Sequence, residues 1–167
     1  MILALPCVPL IYYGDEIGMS YYKGLNKDGG YHRTGSRTPM QWTNGKNAGF
    51  SPADELYLPI NADYKKHNVE NSAGNDKSLY NTVKRLCSIR ERSAALSADA
   101  DFSIISDGYP LIFERKSKKE TYEIVVNPCD RSVKLKLNGK IIDSENCDME
   151  NDEINMRGVS YAWILKR

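Results

Sequence analysis

The chain has 167 residues, 41% hydrophobic and 27% charged, with 23 basic against 22 acidic side chains and a formal charge of +1. Such a composition can bury a core, and its even charge gives no electrostatic reason to expect nucleic acid or a membrane surface as partner. Cys7, Cys87, Cys129 and Cys147 lie far apart with no C-x-x-C pair, and His32 and His67 are the only histidines. Zinc spacing is therefore absent, and reduced thiols in a cytoplasmic protein without metal or cofactor are expected.

MILALPCVPLIYY opens like a signal sequence but has no basic n-region, no small-residue cleavage site, and prolines at 6 and 9. About thirteen apolar residues also fall short of the roughly 20 that span a bilayer. The stretch reads as a buried strand with its lead-in, and a chain that starts inside a core element is expected to have its true N-terminus upstream. LIYYG (10–14) is β-branched and aromatic and ends in glycine, the pattern of a buried parallel strand. A lone parallel strand leaves its backbone groups unpaired, so residues 1–14 must pair elsewhere or expose an apolar edge. The first third is expected to be poorly ordered, and residues 100–167 the stable part.

GDEIG places Asp15 and Glu16 where that strand meets its loop. From there to about Asp76 periodicity disappears, and Gly, Asn, Asp and Tyr dominate. An ordinary connection runs about 4–6 residues, and a much longer ordered loop is usually functional. Trp42, Phe50 and LYLPI (56–60) are too apolar for a disordered linker. SLYNTVKRLCSIRERSAAL (78–96) then predicts a helix of about five turns, capped by Asn75 or Asp76, with Leu79, Val83, Leu86 and Cys87 on one stripe.

SADADF marks a boundary near 97–101, and beyond it the period changes to that of strands. FSIIS, PLIFERK, TYEIVVN, SVKLKLN, EINM and VSYAWILK are separated by DG, SKK, NPCD and NG turn signals. Val133, Leu135 and Leu137 alternate with Lys134 and Lys136, so the last third is expected to be a small antiparallel sandwich or barrel.

No complete catalytic site is visible. Neither histidine lies near a Ser or Cys in a nucleophile motif, and GDEIGM offers carboxylates where a phosphate would need backbone N–H groups. Glycoside hydrolysis uses two carboxyls some 5–10 Å apart. The pairs present, Asp15–Glu16 and Asp54–Glu55, are adjacent residues, which on a strand point to opposite faces. They read as strand-end or surface charges that tie down loops. HRTGSRTPMQW (32–42) differs: Arg37 presents five fixed donors suited to vicinal hydroxyls or a carboxylate, with Pro39 to stiffen the loop and Trp42 to anchor it. From the residues alone, Arg37 is either a ligand contact or a lock between the loop and a core acid.

Taken in order, LPCVPLIYYGDEIGM, SRTPMQW, NAGFS, LYLPIN, NVE and the 78–96 helix resemble the end of an α-amylase-family glycoside hydrolase (family 13). Within it they are most similar to the α-glucosidase, oligo-1,6-glucosidase and trehalose synthase branch. The resemblance covers residues 1 to about 96. It implies an α/β fragment in which residues 1–97 supply the last strand, long substrate-side loop and last helix of a TIM barrel. An all-β antiparallel sandwich at 98–167 would be the C-terminal domain.

A barrel needs about 250 residues, and the family's R-x-D and N-H-D motifs are missing here, so no catalytic carboxylate can be assigned. The resemblance does assign Arg37 to substrate binding, as the contact to a terminal glucose. It implies a retaining enzyme acting on α-linked gluco-oligosaccharides or disaccharides, inactive in the portion seen here. A trehalose synthase (maltose isomerase) and a non-catalytic carbohydrate-binding module are the alternatives. Cys7 stands where the family usually has glycine, and Thr43 where it usually has aspartate.

Overall fold

The computed structural model describes residues 1–136, 138–151 and 153–166. They divide into two packed units: Met1–Pro9 with the chain from Leu86 onward, and Leu10–Arg85.

Leu10–Arg85 contains no strand among its described residues. LIYYG, predicted as a buried parallel strand, is irregular chain that runs into a turn, which corrects that assignment. Strands exist by pairing, and here the nearby backbone bond is local: Asp15 N–H donates to Tyr12 O at 3.0 Å. Leu10 is 76% exposed, and Ile11, Tyr12 and Tyr13 are exposed too, the apolar edge expected of an unpaired segment.

The long loop is hydrogen-bonded structure rather than loose chain. Tight 3-10 turns occupy Asp15–Ile17, Tyr31–Ser36, Lys46–Gly49 and Ala62–Lys65. A short helix, α1 (Val69–Ala73), starts at Asn68, whose buried side-chain oxygen accepts from Asn71 N–H at 2.8 Å.

Helix α2 (Leu79–Arg92) is shorter than the predicted 78–96, because Ser93 is extended and Ala94–Leu96 form a separate 3-10 turn. Its cap is Ser78, whose Oγ accepts from Asn81 N–H at 3.1 Å, instead of Asn75 or Asp76. Asn75 closes the preceding turn by accepting from Lys77 N–H at 3.0 Å. Of the expected stripe, Leu86 is buried, Val83 and Cys87 are half-buried, and Leu79 is exposed.

Six antiparallel strands follow: β1 (Asp101–Ser106), β2 (Leu111–Lys116), β3 (Thr121–Asn127), β4 (Val133–Lys136), β5 (Lys140–Glu150) and β6 (Glu153–Leu165). They form one sheet in the order β1-β2-β3-β6-β4, with β5 also paired to β6. EINM and VSYAWILK join into the single strand β6. KIIDSENCDME, unassigned from sequence, is β5, its pattern hidden by the polar run from Asp143 to Asn146. Val133 and Leu135 alternate with exposed Lys134 and Lys136 as expected, while Leu137 lies outside the described residues.

The long strand β6 organises the sheet. Residues 153–156 pair with β4 on one edge and β5 on the other, and 161–165 pair with β3 and β5. Ile154 and Met156 nevertheless share one buried cluster with Val125, Ala162 and Ile164. A straight strand would separate Met156 from Ala162 by roughly 20 Å, so β6 must bend. The corner is at Gly158–Val159, where Val159 has φ +50° and a Cβ on Gly158 would lie 2.6 Å from the backbone of Asp130. A register shift in β5 between Glu145 and Cys147 matches it. The sheet thus curls back on itself, in keeping with the antiparallel all-β module that the sequence pattern predicts.

Phe113, Arg115, Ile124 and Trp163 face away from that cluster and are all buried. Two arginines fix the N-terminal segment on this side. Arg115 donates to Ala4 O at 2.6 Å and to Ser97 O. Arg90 donates to the carbonyl oxygens of Leu3 (2.6 Å), Leu5 (3.1 Å) and Cys7 (2.6 Å).

Candidate functional site

The Arg37 segment is held from both ends. The turn at Tyr31–Ser36 delivers Arg37, whose N–H donates to Thr34 O at 3.0 Å, and Thr34 and Thr38 are buried on either side. Tyr13 Oη donates to Thr38 O at 3.1 Å. Further along, Gln41 is fully buried: its Nε2 donates to His67 O, and its carbonyl accepts from Val69 N–H at 3.0 Å. Met40 and Gln41 are therefore the brace, whereas Trp42, expected as the anchor, is 48% exposed. Trp42 is held by its backbone, with N–H donating to Ala48 O (2.8 Å) and O accepting from Glu70 N–H (2.9 Å). Thr43, in the position where aspartate was expected, closes the next turn by accepting from Gly45 N–H through Oγ1 at 3.1 Å.

Between these ends the Arg37 guanidinium is exposed and has no hydrogen-bond or ion-pair partner among the described residues. It lines a cavity of about 470 Å³ with Glu16, Tyr13, Trp42, Phe50 and Tyr57, the remaining wall being Pro39, Met40, Leu56 and Leu58. A lock to a core acid is thus not what Arg37 forms. The lining is mostly aromatic and aliphatic with two charged groups, the usual make-up of a small-molecule site.

The acids have other work. Glu16 Oε2 accepts from Gly14 N–H at 2.8 Å, and Asp15 Oδ2 accepts from Tyr12 N–H at 3.1 Å, so both close the turn at residues 12–16. Only Glu16 borders the Arg37 cavity; Asp15 faces a separate hollow with Met19 and Tyr21. Asp54 pairs with Lys46 at 2.7 Å on the surface. His67 Nδ1 lies 3.3 Å from Ile17 O, and His32 offers its carbonyl to Tyr21 Oη at 2.8 Å. Neither histidine meets a nucleophile in these contacts. Among the described residues no three His, Cys, Asp or Glu side chains gather as metal ligands, and no helix is long and apolar enough to cross a membrane.

Tyr13, Phe50, Leu56, Tyr57 and Leu58 join the site without having been singled out for it from sequence. The available signal was the excess of apolar residues in the loop. Tyr57 is fixed by its neighbours: Lys27 Nζ sits 4.1 Å from its ring centre and donates to its carbonyl at 2.7 Å, and Tyr57 Oη donates to Asp28. Burial, reinforced by the neighbouring Tyr12, pushes the Tyr13 phenol up to about 12, against an opposing pull from Arg37.

Residues 1–99, more than half of the chain, match the family described as Alpha amylase, catalytic domain, and the chain belongs to that family. It is 36% identical over 129 residues to Maltase A2 of Drosophila melanogaster, covering 74% of this chain and 23% of that one. It is 42% identical over 103 residues to Trehalose synthase/amylase TreS of Mycolicibacterium smegmatis, covering 58% of this chain and 16% of that one. The trehalulose synthase MutB from Pseudomonas mesoacidophila shares the fold, with a TM-score of 0.87 at 22% identity over 99% of this chain and 37% of that one. The chain thus spans about a quarter or less of the length of these two curated relatives.

Proposed function

We propose that this chain forms the C-terminal part of a retaining enzyme acting on α-glucosidic bonds, and that Arg37 contacts a terminal glucose. The observation that carries the reading is the Arg37 guanidinium, which has no hydrogen-bond or ion-pair partner among the described residues and lines a cavity, on a backbone held at Thr34 and, through Thr38, by Tyr13. Its fixed donors suit the vicinal hydroxyls of a sugar. Residues 1–97 would complete a barrel whose other strands carry the nucleophile and the acid, and residues 98–167 would be its C-terminal β domain. Four free thiols support a cytoplasmic setting. R-x-D and N-H-D motifs are missing from the sequence, so the chain alone should not turn over substrate.

Calorimetry with methyl α-D-glucopyranoside tests the binding claim: wild type should bind, and Arg37→Ala should lose at least about tenfold in affinity, as when a charged partner is removed. Equal binding by both proteins would end it. Turnover of a chromogenic α-glucoside by the purified chain would refute the inactivity. The likeness to a trehalose synthase favours a second reading, in which the complete enzyme isomerises maltose; trehalose formed from maltose by the full-length protein would establish it.

A further inference from the structure

We propose that Asn44–Gly45 is a latent deamidation site: the folded loop restrains both reacting groups, and conversion of Asn44 to aspartate unlatches helix α1 from the Trp42 segment. This holds whether or not Arg37 contacts a glucose.

The chain has two Asn-Gly pairs, Asn44–Gly45 and Asn138–Gly139. Asparagine is thermolabile, and a following glycine has no Cβ to hinder attack by its own nitrogen on the asparagine side chain. In the reaction the Gly45 nitrogen gives its proton to solvent base and bonds to Asn44 Cγ. The Cγ–Nδ2 bond breaks and ammonia leaves. Water then opens the cyclic imide to aspartate or isoaspartate. One water is consumed, one ammonia is released, and nothing is oxidised or reduced. Asn44 and Gly45 are both exposed, so water and base reach them.

Hydrogen bonds oppose the reaction. Gly45 N–H donates to Thr43 Oγ1 at 3.1 Å, and Gly45 O accepts from Ala48 N–H at 3.1 Å, so the attacking residue is fixed at both ends. The Asn44 carboxamide is engaged at both of its polar atoms. Nδ2 donates to Asn71 Oδ1 at 2.9 Å and to Glu70 Oε2 at 3.4 Å. Oδ1 accepts from Asn68 Nδ2 at 3.1 Å and from Asn71 Nδ2 at 3.4 Å. Turning Cγ towards the Gly45 nitrogen breaks these bonds together, so the reaction waits on local opening.

The same bonds make the product disruptive. Aspartate at position 44 puts an oxygen where Nδ2 was, against Glu70 Oε2 and Asn71 Oδ1. Three acceptors then face one another without a donor, and two of them belong to carboxylates that repel. Glu70 also accepts from Asn44 N–H at 3.2 Å, and it sits in the first turn of α1. That turn meets the Trp42 segment through two backbone bonds, Val69 N–H to Gln41 O (3.0 Å) and Glu70 N–H to Trp42 O (2.9 Å). These two bonds are the latch. Gly45 itself has φ −78°, which any residue adopts, so its replacement leaves the backbone unstrained.

The experiment ages the 167-residue chain at mildly alkaline pH, folded and in urea, and follows Asn44 and Asn138 separately by peptide mapping. Asn44 should deamidate at least about tenfold more slowly in the folded chain than in the unfolded one, the protection that local opening implies. Thr43→Ala, which frees the Gly45 N–H, should speed the folded-state reaction several-fold, and Thr43→Ser, which keeps the hydroxyl, should retain the wild-type rate. In Asn44→Asp, hydrogen exchange at the Val69 and Glu70 amides should quicken at least about tenfold while circular dichroism shows the fold retained. Should that variant fail to fold, aged wild type supplies the same reading: it should lose protection at these two amides, and Gly45→Ala, whose methyl hinders attack, should keep it. Equal Asn44 rates in the folded and unfolded chain, or no acceleration in Thr43→Ala, would overturn the inference. So would unchanged exchange at Val69 and Glu70 once Asn44 has become aspartate.

Discussion

Tyr13 Oη donates to the carbonyl of Thr38 at 3.1 Å, joining a residue of the exposed N-terminal run to the one immediately after Arg37. The bond ties the residue after Arg37 to Tyr13, which lines the same cavity. Its donor is available as long as the phenol is protonated, and burial pushes that titration up to about 12. Tyr13→Phe should therefore weaken Arg37-dependent glucoside binding by several-fold without removing it, a loss in keeping with one neutral hydrogen bond of about 1 kcal/mol. Unchanged affinity in Tyr13→Phe would show that the bond does not position Arg37.

The same phenol predicts an alkaline effect. A raised folded-state value means that the unfolded chain ionises first, at about 10, so the stability Tyr13 contributes is intact below 10 and declines as pH climbs towards 12. Denaturant midpoints measured from pH 9 to 12 should fall less steeply in Tyr13→Phe than in wild type. Parallel curves would contradict the assignment.

Cys147 and Cys7 should differ sharply towards thiol reagents. Cys147 Sγ donates to the carbonyls of Glu145 (3.2 Å) and Tyr161 (3.3 Å), and burial, with Asp148 nearby, pushes its thiol up to about 11. Cys7 is exposed. At pH 8 a disulfide reagent should label Cys7 within minutes and leave Cys147 unmodified, because only the thiolate attacks. Peptide mapping decides the order, and prior labelling of Cys147 would count against the structure.

Hydrogen exchange should be slowest at Tyr161–Leu165, which pair on both sides, and fast at residues 10–14, which pair with no strand. Stronger protection at 10–14 than in β6 would mean that the irregular run is a strand in solution.

Arg90→Ala should destabilise the unit that contains β1–β6 by about 3 kcal/mol, since hydrogen bonds from charged donors contribute roughly 1.5–3 kcal/mol each and three carbonyls lose theirs together. Urea unfolding followed by Trp163 fluorescence reads the loss, and a midpoint within error of wild type would show that the carbonyls find other partners.

How far the sequence carried these conclusions differs by element. The C-terminal strands were legible because alternation at Val133–Lys136 and turn pairs such as NG are local signals. β5 was not, since its partner supplies the apolar surface and its own central residues are polar. LIYYG misled for the opposite reason. Its composition suits a strand, but pairing is a property of neighbours, and none are within reach here. At the site, Arg37 stood out by its setting between Ser36 and Thr38. The rings that share its cavity did not, because loops without periodicity bring Phe50 and Tyr57 to it through turns and side-chain contacts. Ser78 was passed over as the α2 cap because three capping-type residues precede the helix, and only the geometry separates them.

The grip of Arg90 and Arg115 on the N-terminal segment falls on main-chain oxygens at positions 3, 4, 5 and 7. Every residue type carries that oxygen, proline included, so the attachment does not depend on which side chains occupy the segment. Cys7 in place of glycine is then unremarkable, since residue 7 takes no left-handed φ that would demand glycine. A substitution that fits along this stretch leaves those bonds in place, whereas replacing either arginine, one from α2 and one from β2, removes them.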